Sequence, residues 1–172
     1  ARGPWDPRAM HGGAPAALVA GVLEAALAAA APGDRALHPA RLTIDLERPV
    51  GIEPLSVRAE IVRSGRKVRI AEVEVIDPRG NRVVRASLLG IRRTPDDPDL
   101  GAAVQATAAP PPPVPSEPVG PSEPPFARTV DGPMFHSHAV EHRFVQGSLG
   151  ALGPGIDWIR LAVPVVADEP IT

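Results

Sequence analysis

The stretch Trp5–Gly13, with the sequence WDPRAMHGG, runs directly into an apolar segment at residues 14–31. That segment contains Leu18, Leu27 and many alanines, and its only charged residue is Glu24. A helix that is apolar on nearly all sides is normally surrounded by protein rather than laid on a surface. The stretch therefore predicts a single buried helix that begins just after two glycines.

Length, charge and composition limit the classes of protein to which this chain can belong. Its 172 residues suit one domain, or one domain and part of another. The net charge of −2 provides no basic surface for nucleic acid, and the lack of cysteine excludes disulfides, thiol nucleophiles and cysteine–zinc sites. Pro15, Gly21 and Glu24 interrupt the apolar segment, which favours a core helix over a membrane span. We expect a cytoplasmic protein with no cofactor and with neither a nucleic-acid nor a membrane partner.

Four segments after the helix have the pattern of β-strands. Apolar and polar residues alternate within the first three, which are residues 41–47, 55–63 and 67–77, and the fourth is residues 82–92. A period of two predicts half-buried strands. In the third segment the apolar residues change from even-numbered to odd-numbered positions near Ile70, which predicts a β-bulge. The fourth segment is apolar at both odd and even positions, which predicts a strand that is either central or covered by a second layer. Together these patterns predict an α+β fold in which an antiparallel sheet wraps a long central helix.

The next part of the chain has a different composition. Residues 94–125 contain eleven prolines, which predicts a stiff linker without regular secondary structure. Beyond it, residues 139–146 and 157–166 predict two further strands joined by a glycine-rich turn. We therefore divide the chain into a first domain (1–93), the linker, and the start of a second domain (126–172). Because the sequence lacks an initial methionine and stops just after a strand-like segment, we treat it as a fragment of a longer protein.

Several stretches, taken in order, carry a resemblance to a known family. They are Gly3–Pro7 followed by His11–Leu18, Leu42–Val50 with its Arg-Pro pair, the turn Arg63–Arg66, and Glu141–Gly147 followed by Trp158–Arg160. In this order and spacing the chain resembles the thioesterase-like double hot-dog proteins, in particular the acyl-CoA thioesterase II group of actinobacterial type. The resemblance implies a hot-dog fold followed by the opening strands of a second hot dog. It also implies an acyl-CoA substrate and a role in lipid metabolism, and we expect a homo-oligomer.

The same resemblance implies where the catalytic acid should lie. In this group the acidic residue sits on the long helix of the second hot dog, which here would fall beyond Thr172. Single hot-dog thioesterases with a His-Gly-Gly start often carry a carboxylate part-way along the first helix, but the position nine residues past His11 is Ala20. Glu24 lies a turn further on, and we expect it to be buried or at a domain contact. We therefore expect the longer protein to hydrolyse acyl-CoA and this fragment to do so weakly or not at all.

The residues at the start of the helix are the first candidates for a site. Backbone N–H groups at Gly12 and Gly13 can polarise a thioester carbonyl, because the first N–H groups of a helix have no partner within it. The alternative is that only glycine fits a tight turn there. His11 can orient substrate or transfer a proton, since its ordinary pKa is about 6.5; the alternative is a capping or packing role.

Two further groups of residues are candidates with weaker patterns. Asp6 and His11 are five residues apart, as in hot-dog enoyl-CoA hydratases, but the asparagine typical of that pattern is missing. Arg63, Gly65 and Arg66 form a basic hairpin end that can bind coenzyme A phosphates, because guanidinium groups suit phosphate oxygens. The alternative is a solvated hairpin end without a ligand.

Three histidines of the second unit lie at even-numbered positions, so they share one face if their segment is extended. His136, His138 and His142 can then face one another as metal ligands, but no nearby carboxylate or cysteine completes a site, so we expect a solvent-facing row and no metal.

The sequence as a whole favours a protein that hydrolyses or binds acyl-CoA thioesters. A non-catalytic acyl-binding or oligomerisation domain and an enoyl-CoA hydratase remain as alternatives.

Overall fold

The computed structural model describes residues 2–30, 37–92, 102–103, 109–117 and 132–168. The elements in chain order are the helix α1 (Gly13–Ala30), the strands β1 (Leu37–Leu46), β2 (Ser56–Ser64), β3 (Val68–Ile76) and β4 (Arg82–Arg92), a π-helical turn (Phe135–Ala139), and the strands β5 (Val140–Gln146) and β6 (Ile156–Leu161). One helix is thus followed by strands, as the sequence predicts.

The first four strands form an antiparallel sheet in the order β1-β4-β3-β2. Alternate residues of β3 point at α1, and Ala71, Val73 and Val75 are buried there. The central position of β4 agrees with its apolar residues on both parities. The predicted α+β fold, a helix against an antiparallel sheet, is confirmed.

The helix is covered on one face only. Its buried residues recur every four positions, and they are Pro15, Val19, Leu23 and Leu27. Gly21, Glu24 and Ala28 lie on the opposite face and are exposed. The predictions of burial on nearly all sides and of a buried or contacting Glu24 are therefore wrong for the described residues. The small alanine side chains make the whole segment apolar without marking which face packs.

The same helix has the length and composition of a membrane span. Among the described residues, α1 is the one helix that is long and apolar enough to cross a membrane. The core helix of a globular protein has the same length and composition. Here Val19, Leu23 and Leu27 pack against the sheet.

The β-bulge lies opposite the position where the sequence predicts it. The register between β2 and β3 shifts between Ile61 and Arg63, which pair with Ala71 and Ile70. The extra residue is therefore Val62 of β2 rather than a residue of β3. The change of apolar phase near Ile70 locates the irregularity correctly but cannot tell which of the two paired strands holds it.

Several boundaries differ from the predicted ones. The strand β1 begins earlier, at Leu37, and β6 ends at Leu161 rather than at residue 166. Most of the proline-rich stretch lies outside the described residues, and within it residues 109–117 are irregular. Residues 102–103 have helical backbone, which the prediction did not include; the segment from 99 to 109 contains no proline and so permits it.

The N-terminal segment joins the first sheet to the second unit. Arg2 forms bridges to both Met10 and Met134, and its carbonyl accepts a hydrogen bond from the Phe135 N–H at 3.2 Å. The Met10 N–H in turn donates to the Val50 carbonyl at 2.7 Å. These contacts bring the π-helical turn to the N-terminal end of α1.

Candidate functional site

The site that the structure assembles lies at the N-terminal end of α1. The His11 carbonyl accepts a hydrogen bond from the Ala14 N–H at 3.0 Å, and the His11 ring nitrogen Nδ1 accepts one from the Gly13 N–H at 3.0 Å. His11 therefore caps the helix, since it satisfies a donor that the helix itself leaves free. The Gly12 N–H has no hydrogen-bond partner among the described residues.

The two glycines are needed for close approach. A Cβ atom on Gly13 would lie 2.5 Å from the Phe135 ring, which is far too close for a real contact. A Cβ atom on Gly12 would lie 3.1 Å from a terminal methyl of Leu46. Gly13 does not have a positive φ, so the neighbouring ring rather than an unusual backbone angle excludes a side chain there.

Aromatic rings enclose His11. The Phe135 ring stacks on the His11 ring, with centroids 4.4 Å apart and planes within 7°. Trp5 lies on a further near-parallel plane, with its ring centroid 6.1 Å from that of His11. These rings fix the plane of the imidazole and so determine where its two nitrogens point.

Hydrogen bonds extend from His11 into the second unit. His11 Nε2 lies 3.0 Å from His136 Nε2, His136 Nδ1 lies 3.3 Å from His142 Nε2, and His142 Nδ1 lies 2.6 Å from Asp157 Oδ2. We call these four residues the His–Asp cluster. His142 is only 4% exposed, and the other carboxylate oxygen of Asp157 is buried without a hydrogen-bond partner in the described part of the chain.

The environment of His11 and His136 favours neutral imidazoles at these two positions. Burial lowers the pKa of His11 below its ordinary value, and the neighbouring His136 adds to that effect. Burial likewise lowers the pKa of His136, with a further contribution from His142 that Asp157 opposes. At neutral pH the structure therefore contains uncharged rings at His11 and His136, which suits a chain of hydrogen bonds between imidazoles.

These shifts predict that the protein loses stability as the pH falls. The unfolded chain protonates both histidines near pH 6.5, whereas the folded chain resists protonation to a lower pH, so the unfolded state binds more protons in that window. We expect the free energy of unfolding, measured by urea titration, to decrease as the pH falls from about 7.5 to about 5.5. The double variant His11→Gln, His136→Gln should show a shallower decrease. Equal slopes for the two proteins over this range would contradict the prediction.

Asp6 lies in a separate interaction. Its carboxylate accepts hydrogen bonds from the backbone N–H of Arg8 at 2.9 Å and from the Arg8 side chain, and these lower the pKa of Asp6. Asp6 thus closes a turn with Arg8, and its hydrogen bonds do not include His11. The pairing of Asp6 with His11 on which the hydratase interpretation depends is not formed in the structure.

The basic hairpin lies at the opposite end of the helix. The Gly65 N–H donates to the Val68 carbonyl at 3.0 Å, which closes the tight turn that contains Arg66. Arg69, just beyond this turn, donates to the Ala30 carbonyl at the C-terminal end of α1. Because α1 has 18 residues, its ends are about 27 Å apart. Arg63, Gly65 and Arg66 are therefore remote from His11 and the glycines.

The histidines of the second unit do not form the expected solvent-facing row. The π-helical turn replaces the extended conformation, so His136 and His142 turn inward to the His–Asp cluster, while His138 contacts the Met134 N–H and the Ser137 hydroxyl. The expectation of a row was wrong because it assumed an extended backbone. Within the described residues, no group of three or more His, Cys, Asp or Glu side chains is arranged to hold a metal ion.

An open apolar groove lies beside the π-helical turn. It has a volume of about 410 Å³ and is lined by Arg2, Ile52, Pro133, Met134, His138, Ala139 and Val163. One cationic side chain thus lies among mostly apolar ones. Sequence analysis did not identify this groove, because its lining comes from four separate parts of the chain.

Comparison with known proteins identifies the family. Residues 1–90 match the acyl-CoA thioesterase N-terminal domain, and the chain belongs to this family. None of the curated proteins compared with the chain matches it significantly. The match covers α1, β1–β3 and most of β4, and it includes the His11, Gly12 and Gly13 end of the site.

Solved structures with partial similarity come from several bacteria. The BH2602 protein of Bacillus halodurans, solved with CoA, is 21% identical over 49% of this chain and 60% of its own, with a TM-score of 0.46. The thioesterase HI1161 of Haemophilus influenzae is 16% identical over 50% and 60%, with a TM-score of 0.46. AziG of S. sahachiroi is 27% identical over 52% and 75%, with a TM-score of 0.46. The present chain spans about 60% of the length of the first two.

Proposed function

We propose that this protein acts on acyl-CoA thioesters, as a hydrolase of the acyl-CoA thioesterase II type. The observation that carries the proposal is the family match over residues 1–90, because it includes the helix start at which His11, Gly12 and Gly13 meet. The Gly12 N–H, which has no partner in the described residues, can donate to a thioester carbonyl oxygen. Such a donor stabilises the negative charge that develops on that oxygen as water attacks.

The alternative of a non-catalytic acyl-binding domain also has support from the geometry. The Gly13 N–H and His11 Nδ1 satisfy each other at 3.0 Å, so neither group is free to act until a ligand separates them. A thiol-release assay on this chain and on a longer protein that contains it distinguishes the two functions. Binding of acyl-CoA with no thiol release from either protein would favour the non-catalytic domain.

The apolar groove is the surface that we propose for the acyl chain. It borders the π-helical turn that also carries Phe135 and His136, so a ligand can extend from the helix start into it. The arginine at its rim suits a carboxylate or phosphate oxygen, and the apolar residues suit a hydrocarbon chain. The basic hairpin end at Arg63, Gly65 and Arg66 is too remote from the helix start to contact the thioester, and we propose it only as a contact for the phosphates of coenzyme A.

A charge placed in this groove should weaken binding of long acyl chains. We expect Val163→Glu to lower the affinity for a long-chain acyl-CoA by about tenfold or more, because each 1.4 kcal/mol of lost burial changes the affinity tenfold. Binding of acetyl-CoA should change little. Calorimetric titration with both ligands measures the difference.

Val165→Glu provides the control for this experiment. Val165 is 49% exposed and Val163 is 42% exposed, and both belong to the segment after β6, but Val165 does not line the groove. We expect Val165→Glu to bind both ligands as the wild type does. A loss of long-chain affinity that is equal in the two variants would exclude the groove as the acyl site.

A further inference from the structure

The ends of the His–Asp cluster determine the direction of every hydrogen bond within it. At one end the Gly13 backbone N–H can only donate, so His11 Nδ1 must accept and carries no proton. His11 is neutral at pH 7 because burial lowers its pKa, and its proton is therefore on Nε2. That nitrogen then donates to His136 Nε2, 3.0 Å away.

The same reasoning continues to the carboxylate. His136 accepts at Nε2, so its proton is on Nδ1, which donates to His142 Nε2 at 3.3 Å. His142 therefore carries its proton on Nδ1, which donates to the Asp157 carboxylate at 2.6 Å. A carboxylate is an acceptor, so the assignment made from the backbone end agrees with what the acid end requires. One pattern of protons satisfies all four hydrogen bonds with three neutral imidazoles.

In this pattern no ring nitrogen of the cluster is free to accept a proton. Each neutral imidazole has one lone pair, and all three are occupied by the preceding donor. A thioester oxygen that takes the Gly13 N–H removes the donor from His11 Nδ1 and leaves its lone pair free. His11 then becomes a base at the position where the carbonyl is bound, and the arginine-held Asp6 is not required.

We propose that His11 is the general base of the thioester hydrolysis, uncovered when the substrate carbonyl takes the Gly13 N–H and supported by a hydrogen-bond relay through His136, His142 and Asp157. This inference rests on the proposed function. His11 is the catalytic residue, and the other three are positioning residues that fix its tautomer. The chain thus holds a base of its own, in addition to any that lies beyond Thr172.

The proposed reaction balances without a cofactor. A water molecule attacks the carbonyl carbon, a C–O bond forms, and the water gives one proton to His11 Nδ1. The tetrahedral intermediate then collapses, the C–S bond breaks, and His11 returns that proton to the departing thiolate sulfur. The products are the carboxylic acid and the thiol. While His11 carries the extra proton, its Nε2–H continues to donate into the relay, and the Asp157 carboxylate stabilises the positive charge through it.

Nuclear magnetic resonance of ¹⁵N-labelled histidine in the complete 172-residue chain tests the relay directly. Ring nitrogen shifts distinguish the two neutral tautomers. We expect the Nε2–H form at His11 and the Nδ1–H form at both His136 and His142. Finding the Nε2–H form at His136 and His142 would overturn the relay, and this measurement needs no variant and no activity.

Kinetics of Asp157→Asn test the role of the carboxylate in catalysis. General bases contribute about 10²–10⁴-fold, so we expect a loss of kcat in that range with KM within a few-fold of the wild type. The acidic limb of the pH profile should also move to lower pH, because loss of the carboxylate makes the imidazole harder to protonate. Loss of a residue with a purely structural role would lower kcat at every pH without moving the acidic limb of the pH profile.

The matched control is Glu141→Gln. Glu141 lies on β5 next to His142, but it pairs with Arg143 and Arg160 and is not part of the cluster. We expect this variant to keep the wild-type pH profile. If Asp157→Asn does not fold, His136→Gln takes its place, since His136 is only partly buried and should give the same loss of kcat. In that variant the acidic limb should move to higher pH, because His136 lowers the pKa of His11.

The outcomes separate the relay from the proposed function. Thiol release by the wild type with an unchanged pH profile in Asp157→Asn or His136→Gln would overturn the relay and leave the function intact. No thiol release by this chain, although it binds acyl-CoA and shows the expected tautomers, would overturn His11 as a base. If the longer protein is also inactive, the proposed function fails as well.

Discussion

Replacing Gly13 by alanine is expected to separate the second unit from the helix start. The new Cβ atom would lie 2.5 Å from the Phe135 ring, with two further ring atoms at 2.9 Å. Phe135 must therefore move, and it carries with it the stacking on His11 and the neighbouring His136. Overpacking of this kind costs about 1–3 kcal/mol. We expect that loss in urea unfolding, together with loss of the ring-current shift that Phe135 imposes on His11.

Gly21→Ala is the control for this substitution. Gly21 lies in the same helix, and a Cβ atom there would meet no heavy atom within 4 Å. Alanine in a helix interior is more favourable than glycine by about 0.5–1 kcal/mol, so Gly21→Ala should stabilise the protein. If the free energy of unfolding falls in Gly13→Ala and rises in Gly21→Ala, the Phe135 contact, and not helix propensity, determines the loss of stability in Gly13→Ala. A Gly13→Ala protein as stable as Gly21→Ala would contradict this account.

The close contact between Gly13 and Phe135 also bears on how a pair of glycines is interpreted from sequence. Sequence analysis offered two reasons for the glycines, a free donor toward substrate and a tight turn. The structure adds a third, because the space beside Gly13 is filled by Phe135, which lies more than one hundred residues further along the chain. No local pattern around His11 contains that information.

The strands were predictable for a physical reason that the site does not share. In β3, every second residue from Ala71 to Val75 is buried, and this alternation follows from the geometry of an extended chain. It is therefore visible in a short window of sequence. Turn residues likewise locate the hairpins, such as Asp77 accepting from the Asn81 N–H at 2.8 Å.

The His–Asp cluster was beyond the reach of the same reasoning. His11 and His136 are 125 positions apart, and the proline-rich stretch lies between them. The parity argument placed His136 and His142 on one extended face, but the π-helical turn changes the direction of the chain just before β5. The sequence identified the histidines as candidates and predicted a strand that contains Asp157. It did not indicate that the fold brings these residues together.

The second large effect concerns the apolar core between α1 and the four-stranded sheet. Leu23 is fully buried between α1 and the sheet, and we expect Leu23→Ala to lower the free energy of unfolding by about 2–5 kcal/mol. The cost comes from lost apolar burial and from the cavity that the neighbouring Val73 and Val75 of β3 cannot fill. Urea unfolding followed by circular dichroism measures it.

The exposed face of the same helix provides the contrast. Ala28→Glu places a charge where the structure leaves α1 uncovered, and exposed substitutions of this kind usually change stability by about 0.5 kcal/mol or less. We therefore expect a large loss for Leu23→Ala and almost none for Ala28→Glu. A comparable loss in both would mean that α1 is covered all round, as its sequence alone predicts. If the loss with Ala28→Glu grows with protein concentration, the cover is a second copy of the chain, because only an interface between copies depends on concentration.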